Sequence, residues 1–144
     1  MKLFTIGFTQ TSAAHFFGRL KRAGVQRLID VRLNRRSQLA GFAKEGDLAW
    51  FAQAICGIET ETIPELAPTP AMLDAYRKDG RDWPAYAAKF RRLIARRRIE
   101  TVLSPARLDG ACLLCSEALP HHCHRRVVAA YLREKWGDVE VVDL

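Results

Sequence analysis

Between Cys115 and Arg126 the chain reads Cys-Ser-Glu-Ala-Leu-Pro-His-His-Cys-His-Arg-Arg, a twelve-residue stretch with two thiols, one carboxylate, three imidazoles and two guanidiniums. Cys115 and Glu117 are two apart and share a face if strand geometry persists past Cys115. With Pro120 in the first turn of a helix, Cys123 and His124 lie near the positive end of its dipole, where a thiolate or a bound anion is stabilised. Arg125 and Arg126 strengthen that field and favour the thiolate. The segment therefore offers Cys123 as a nucleophile, Glu117 as a proton carrier, and Cys115, His124 and Arg125 as ligand contacts. Other readings stay open. Cys123 can be a small packing residue. Cys115, Cys123, His124 and either His121 or His122 are the right donors for zinc, yet the seven-residue gap and the adjoining Cys-His pair match no standard tetrahedral spacing. The sixth position after Cys115 is His121, not arginine, which breaks the phosphate loop of a tyrosine-phosphatase-like site.

A second pair is Asp30 and Arg32, two apart near the exit of an apolar run. They form either an internal ion pair that braces the exit, or a proton-moving carboxylate beside an anion-binding guanidinium. Gly7 closes the first apolar run and is where backbone can approach a ligand. His15 reads as a surface residue on the polar side of a helix.

The elements that must carry these groups follow from periodicity. Leu3 to Ile6 and Arg27 to Val31 read as buried strands. Between them Ser12 caps a helix with Ala13, Phe16, Phe17 and Leu20 on one face, closing at Gly24. Residues 32 to 46 read as a loop carrying Arg32, Arg35 and Arg36. A helix is predicted from Asp47 to Cys56, stopped by Gly57, and a weaker third strand from Ile58 to Ile63. Thr69-Pro70 starts a helix toward Lys78, and Asp82 caps another with an apolar stripe of Trp83, Tyr86, Phe90 and Ile94. Residues 99 to 110 are ambiguous. Ala111 to Cys115 is a central strand, with Cys112 facing away from Cys115 and into the core. A last helix runs from Pro120 or Cys123 to Trp136, and Val139 to Asp143 is a final strand. Strands alternating with helices predict an α/β fold, a three-layer sandwich around a mainly parallel sheet of four or five strands. In such a sheet the ligand crevice lies outside the carboxyl ends of the strands, which collects Gly7, Phe8 and Thr9, then Asp30 and Arg32, then Cys115, Ser116 and Glu117, then the 121–126 segment.

At 144 residues the chain suits a single domain, 1–144, with a core large enough to need no metal or disulfide staple. An apolar fraction of 49% beside 27% charged residues excludes wholesale disorder. No run approaches the ~18 apolar residues of a membrane span, and the N-terminus lacks a signal-peptide pattern, so a cytoplasmic protein without a membrane partner is expected. Lys plus Arg number 23 against 16 acids, a net charge of +7, and 17 of the 23 are Arg. That balance suits a phosphate-bearing partner, since guanidinium forks match phosphate oxygens. Three of the four cysteines fall within residues 112–123, unlike the scattered framework of a disulfide-stapled domain, and point to thiol chemistry, metal or core.

These residues resemble a known family. Thr5-Ile6-Gly7, Asp30-Val31-Arg32, Ser37, Gly41-Phe42, Leu113-Leu114-Cys115-x-Glu117 and Cys123-His124-Arg125 together resemble the domain of unknown function 488 family, over residues 3 to about 132. The resemblance implies a small intracellular α/β protein with a polar pocket built from the matched segments; it implies no reaction, substrate or cofactor. The chain departs from the common pattern at Phe8, where a histidine is usual, at Leu33-Asn34, where a proline follows Asp-Val-Arg, and at Glu59, often a tyrosine. The expected function is an enzyme-like pocket for a phosphate-containing ligand, a nucleotide or nucleic-acid end. Two alternatives are a non-catalytic nucleic-acid-binding module with an Arg-rich surface and a structural zinc-bound domain.

Overall fold

A computed structural model describes residues 1–33, 41–115 and 123–144. The apolar runs become strands of one sheet: β1 (Lys2–Gly7), β2 (Arg27–Asp30), β3 (Glu59–Thr62), β4 (Ala111–Cys115) and β5 (Glu140–Asp143). All pair in parallel, in the order β3-β2-β4-β1-β5. The three central strands are nearly continuous buried runs, whereas β3 (Glu-Thr-Glu-Thr) and β5 (Glu-Val-Val-Asp) are only partly covered. This is the composition expected of a parallel sheet with helices on both faces and solvated edges.

The helices are α1 (Ala13–Ala23), α2 (Asp47–Phe51, continued by a π turn over Ala52–Cys56), α3 (Pro70–Lys78), α4 (Trp83–Arg96), α5 (Ile99–Val102), α6 (Pro105–Leu108) and α7 (His124–Trp136). Their limits follow local chemistry. The Ser12 hydroxyl accepts from the His15 amide and Gly24 ends α1 at φ 70°, a left-handed turn that glycine adopts without cost. Thr69 and Asp82 cap α3 and α4 in the same manner, each with proline early in the helix.

Strand order and crossover handedness together place the helices. The connections β1 to β2 and β2 to β3 run toward one edge of the sheet; those from β3 to β4 and β4 to β5 run toward the other. Right-handed crossovers then put α1 and α2 on one face and α4 and α7 on the opposite face. The cores match. On one side Phe4, Ile6, Leu28, Cys112 and Leu114 pack with Phe16, Phe17, Leu20 and Leu48. On the other, Leu3, Ile29, Leu113 and Cys115 pack with Phe90, Ile94, Val128 and Leu132. Alternate residues of each strand thus serve alternate layers, which puts Cys112 and Cys115 on opposite faces.

Three expectations are refined. The third strand is shorter than Ile58 to Ile63. The ambiguous 99–110 region forms the two short helices α5 and α6, the second capped by Ser104 with Pro105 in its first turn. The last helix starts at His124 with Cys123 as its N-cap; Pro120 lies outside the described residues.

Candidate active site at the carboxyl ends of the central strands

Connections leaving neighbouring strands toward opposite faces open a crevice at the sheet's carboxyl end. The chain leaves β1 and β2 for one face and β4 for the other, so β4 is flanked by such a gap on each side. Register fills it with the expected residues: Gly7 lies beside Cys115, and Asp30 beside Leu114.

Asp30 and Arg32 are each 3% exposed. Asp30 Oδ1 accepts from the Arg32 backbone N–H at 3.0 Å and from Nε at 2.9 Å, while Oδ2 accepts from Nη2 at 2.8 Å. This bidentate arrangement fixes the guanidinium plane, and Arg32 Cζ lies 5.0 Å from the centre of the buried Phe8 ring, a cation–π contact. Both carboxylate oxygens accept from Arg32, so Asp30 holds the guanidinium in place. Nη1 of Arg32 is buried and has no hydrogen-bond partner among the described residues.

One residue back along the chain, the Val31 carbonyl accepts from His124 Nε2. A carbonyl accepts only, so Nε2 carries the proton and the neutral ring turns the lone pair of Nδ1 toward Cys115 Sγ, 3.7 Å away. Burial drives the His124 pKa down to about 4 and the neighbouring Arg125 adds to the fall, against opposing contributions from the Val31 carbonyl and Asp30. The imidazole is therefore uncharged at neutral pH. Phe90 of α4 packs edge-on against it, ring centres 5.5 Å apart. Arg125, next on α7, is fully buried.

Cys115 and Cys123 are joined as a disulfide, Cα atoms 7.1 Å apart. Thiol chemistry, metal or core were the expectations for this cluster, not a bond within it: Cys123, the N-cap of α7, lies against the end of β4 and meets Cys115 eight residues earlier. Cys123 carries no thiolate in this state, so its nucleophilic role belongs to the reduced chain. Cys112 is a buried thiol whose pKa is pushed up by burial, as expected of a core residue. Cys56 is only half-buried, with Sγ 3.5 Å from the Phe17 carbonyl.

The structure thus brings Gly7, Asp30, Arg32, Cys115, Cys123, His124 and Arg125 to one end of the sheet. The Gly7 carbonyl accepts from Arg19 Nη2 at 3.0 Å, which ties α1 to the end of β1. Glu117, His121 and His122, and likewise Arg35, Arg36 and Ser37, lie outside the described residues. Position after β1 collects Phe8 with Gly7 at the crevice but not its contact with Arg32; Phe90, one member of an apolar helix stripe, is not singled out by spacing. Two open grooves lie elsewhere along α7, one of about 710 Å³ beside Arg133, Glu134 and Asp143, the other of about 560 Å³ beside Trp83 and Arg91.

A family model described as "Domain of unknown function DUF488" matches residues 12–132 of the chain. The chain belongs to the DUF488 family. The match covers β2, β4 and the start of α7, and so Asp30, Arg32, Cys115, Cys123, His124 and Arg125; Thr5-Ile6-Gly7 of β1 precedes it. No curated protein and no solved structure matches this DUF488 chain.

Proposed function

We propose that this DUF488 chain is an enzyme-like domain whose crevice takes an anionic, phosphate-containing ligand, a nucleotide or a nucleic-acid end, in the cytoplasm. The observation that carries the reading is Arg32: a buried guanidinium, oriented by Asp30 and stacked on Phe8, whose Nη1 is unpaired among the described residues. An unused buried donor costs about 1–3 kcal/mol, a cost that an anionic oxygen accepting from Nη1 would remove. Arg125, at the start of α7, is a second guanidinium buried at this end of the sheet. The dipole of the thirteen-residue helix α7 also favours negative charge at this end. In the reduced protein Cys123, as N-cap, stands where a thiolate is stabilised, with Glu117 and Asp30 as the proton carriers.

Titration of the full chain with inorganic phosphate and with a nucleoside monophosphate, followed by calorimetry, tests this. Saturable binding, weakened at least about tenfold in Arg32→Lys, which keeps the charge but loses the fork, is the expected result. Equal affinity in Arg32→Lys, or no saturable binding by the wild type, overturns it. Binding to any nucleic acid that collapses as salt rises would instead favour a non-catalytic nucleic-acid module. Less of the basic stretch supports that module than sequence suggests: Arg91 pairs with Glu134, and Arg97 donates to the Glu65 and Ala67 carbonyls.

A further inference from the structure

Three soft or borderline donors meet beside the Arg32 site. Cys115 Sγ, Cys123 Sγ and a His124 ring nitrogen all lie within 4.8 Å of one another, and all three residues are buried. In tetrahedral zinc, bonds of ~2.3 Å to sulfur and ~2.0 Å to nitrogen separate a sulfur and a nitrogen ligand by about 3.6 Å. The observed Cys115 Sγ to His124 Nδ1 distance is 3.7 Å. The other ring nitrogen donates to the Val31 carbonyl, the second contact that orients a metal-binding histidine and selects its tautomer. Adjoining Cys123 and His124 can serve together because Cys123 is an N-cap in extended backbone, φ −135° and ψ 138°, while His124 is the first helical residue. The change of backbone state between them turns two neighbouring side chains toward the same point. A run of standard zinc-motif spacing does not contain this geometry, which is why spacing alone argues against the site.

We propose that the reduced chain binds one thiophilic cation, Zn²⁺, through Cys115, Cys123 and His124, and that the Cys115–Cys123 disulfide is the metal-free, oxidised form of the same site. Reduction by a thiol breaks the S–S bond by exchange: one reductant thiolate forms a mixed disulfide and a second resolves it, leaving two protein thiols and one reductant disulfide. Zn²⁺ then displaces a proton from each thiol. In the reverse direction a hydroperoxide supplies the oxidant. One thiolate attacks the peroxide oxygen and becomes a sulfenic acid as water or an alcohol departs; the second displaces water from it to form the disulfide. Two protons are consumed, and Zn²⁺ leaves. Burial of both sulfurs, at 4% and 2% exposure, favours an oxidant as small as a hydroperoxide over a protein disulfide. Three protein ligands leave a fourth position for an external donor. The site does not depend on the phosphate reading, and the phosphate titration and the metal measurements can fail separately.

The test uses the full, untagged chain reduced with a phosphine under anaerobic conditions. Co²⁺ should produce a thiolate-to-cobalt charge-transfer band that one equivalent of Zn²⁺ abolishes. Competition against a chromophoric chelator should give one zinc per chain, with affinity falling at least about tenfold in Cys115→Ser and His124→Asn and unchanged in Cys56→Ser. Hydrogen peroxide should release the zinc in step with loss of two thiols, and reductant should restore binding. Should the Cys115 or His124 variants fold poorly, alkylation of the wild type decides: Zn²⁺ should slow modification of Cys115 and Cys123 but not of Cys56. Failure of the reduced wild type to take up zinc, undiminished affinity in folded His124→Asn, or equal alkylation rates with and without zinc each overturn the proposal.

Discussion

Arg32 and Asp30 show how one side chain can decide what its neighbour does. Sequence places them two apart and leaves open whether the carboxylate braces the strand exit or moves protons; the structure binds both its oxygens to Arg32. Removing one member of such a pair leaves a buried charge without its partner. Asp30→Asn should therefore destabilise the fold by about 3–5 kcal/mol, measured by urea unfolding, while a double replacement of Asp30 and Arg32 by apolar residues should recover much of the loss. A cost below about 1 kcal/mol for Asp30→Asn would mean that solvent reaches the pair. Arg32, Cys115, Cys123 and His124 were legible as chemistry-bearing residues because their types and clustering are unusual. Their partners were not. Phe8 over Arg32, the Val31 carbonyl under His124 and the Cys115–Cys123 bond depend on which side chains the turn after each strand brings face to face.

At the scale of elements, α7 supplies the helix N-terminus at the site and also anchors the opposite end of that helix to the core. Tyr131 donates to Glu100 Oε2 of α5 at 2.6 Å, and Trp136 Nε1 donates to the Glu100 carbonyl at 3.3 Å. The Tyr131 bond holds the Glu100 carboxyl below its ordinary range. The unfolded chain therefore binds more protons than the folded one as Glu100 titrates, so this contribution is present above the ordinary carboxylate range and disappears as pH falls through the lowered value. Tyr131→Phe should cost about 1 kcal/mol at neutral pH, and its difference from wild type in thermal unfolding should narrow in acid. A gap of constant size down to low pH would assign the loss to packing instead. Caps made α1, α3 and α4 legible, since Ser12, Thr69 and Asp82 act within three residues of themselves. The short helices α5 and α6 were not, because four residues are too few to show a helical period.

Across the whole molecule, the parallel sheet keeps two separate cores and exposes its chemistry only where the strands end. Leu113 belongs to one core and Leu114 to the other, and both are fully buried. Leu113→Ala and Leu114→Ala should each cost about 2–5 kcal/mol by denaturant unfolding; a near-neutral result for either would mean that its face of the sheet is not covered. No helix among the described residues is long and apolar enough to cross a membrane. The net charge of +7, which first suggested a phosphate-bearing partner, divides in three dimensions: Arg32 and Arg125 are buried at the site, while Arg91 and Arg97 fasten helices to their surroundings. Local pattern alone specifies the alternation of strands and helices and marks Ala111 to Cys115 as a central strand. Those properties come from periodicity and capping, whose interactions reach only a few residues along the chain. The tertiary structure decided the order β3-β2-β4-β1-β5, and with it which strand ends adjoin. It also decided that Cys115, Cys123 and His124 converge beside Val31. Parallel pairing joins residues tens of positions apart, and no local pattern encodes which of them meet.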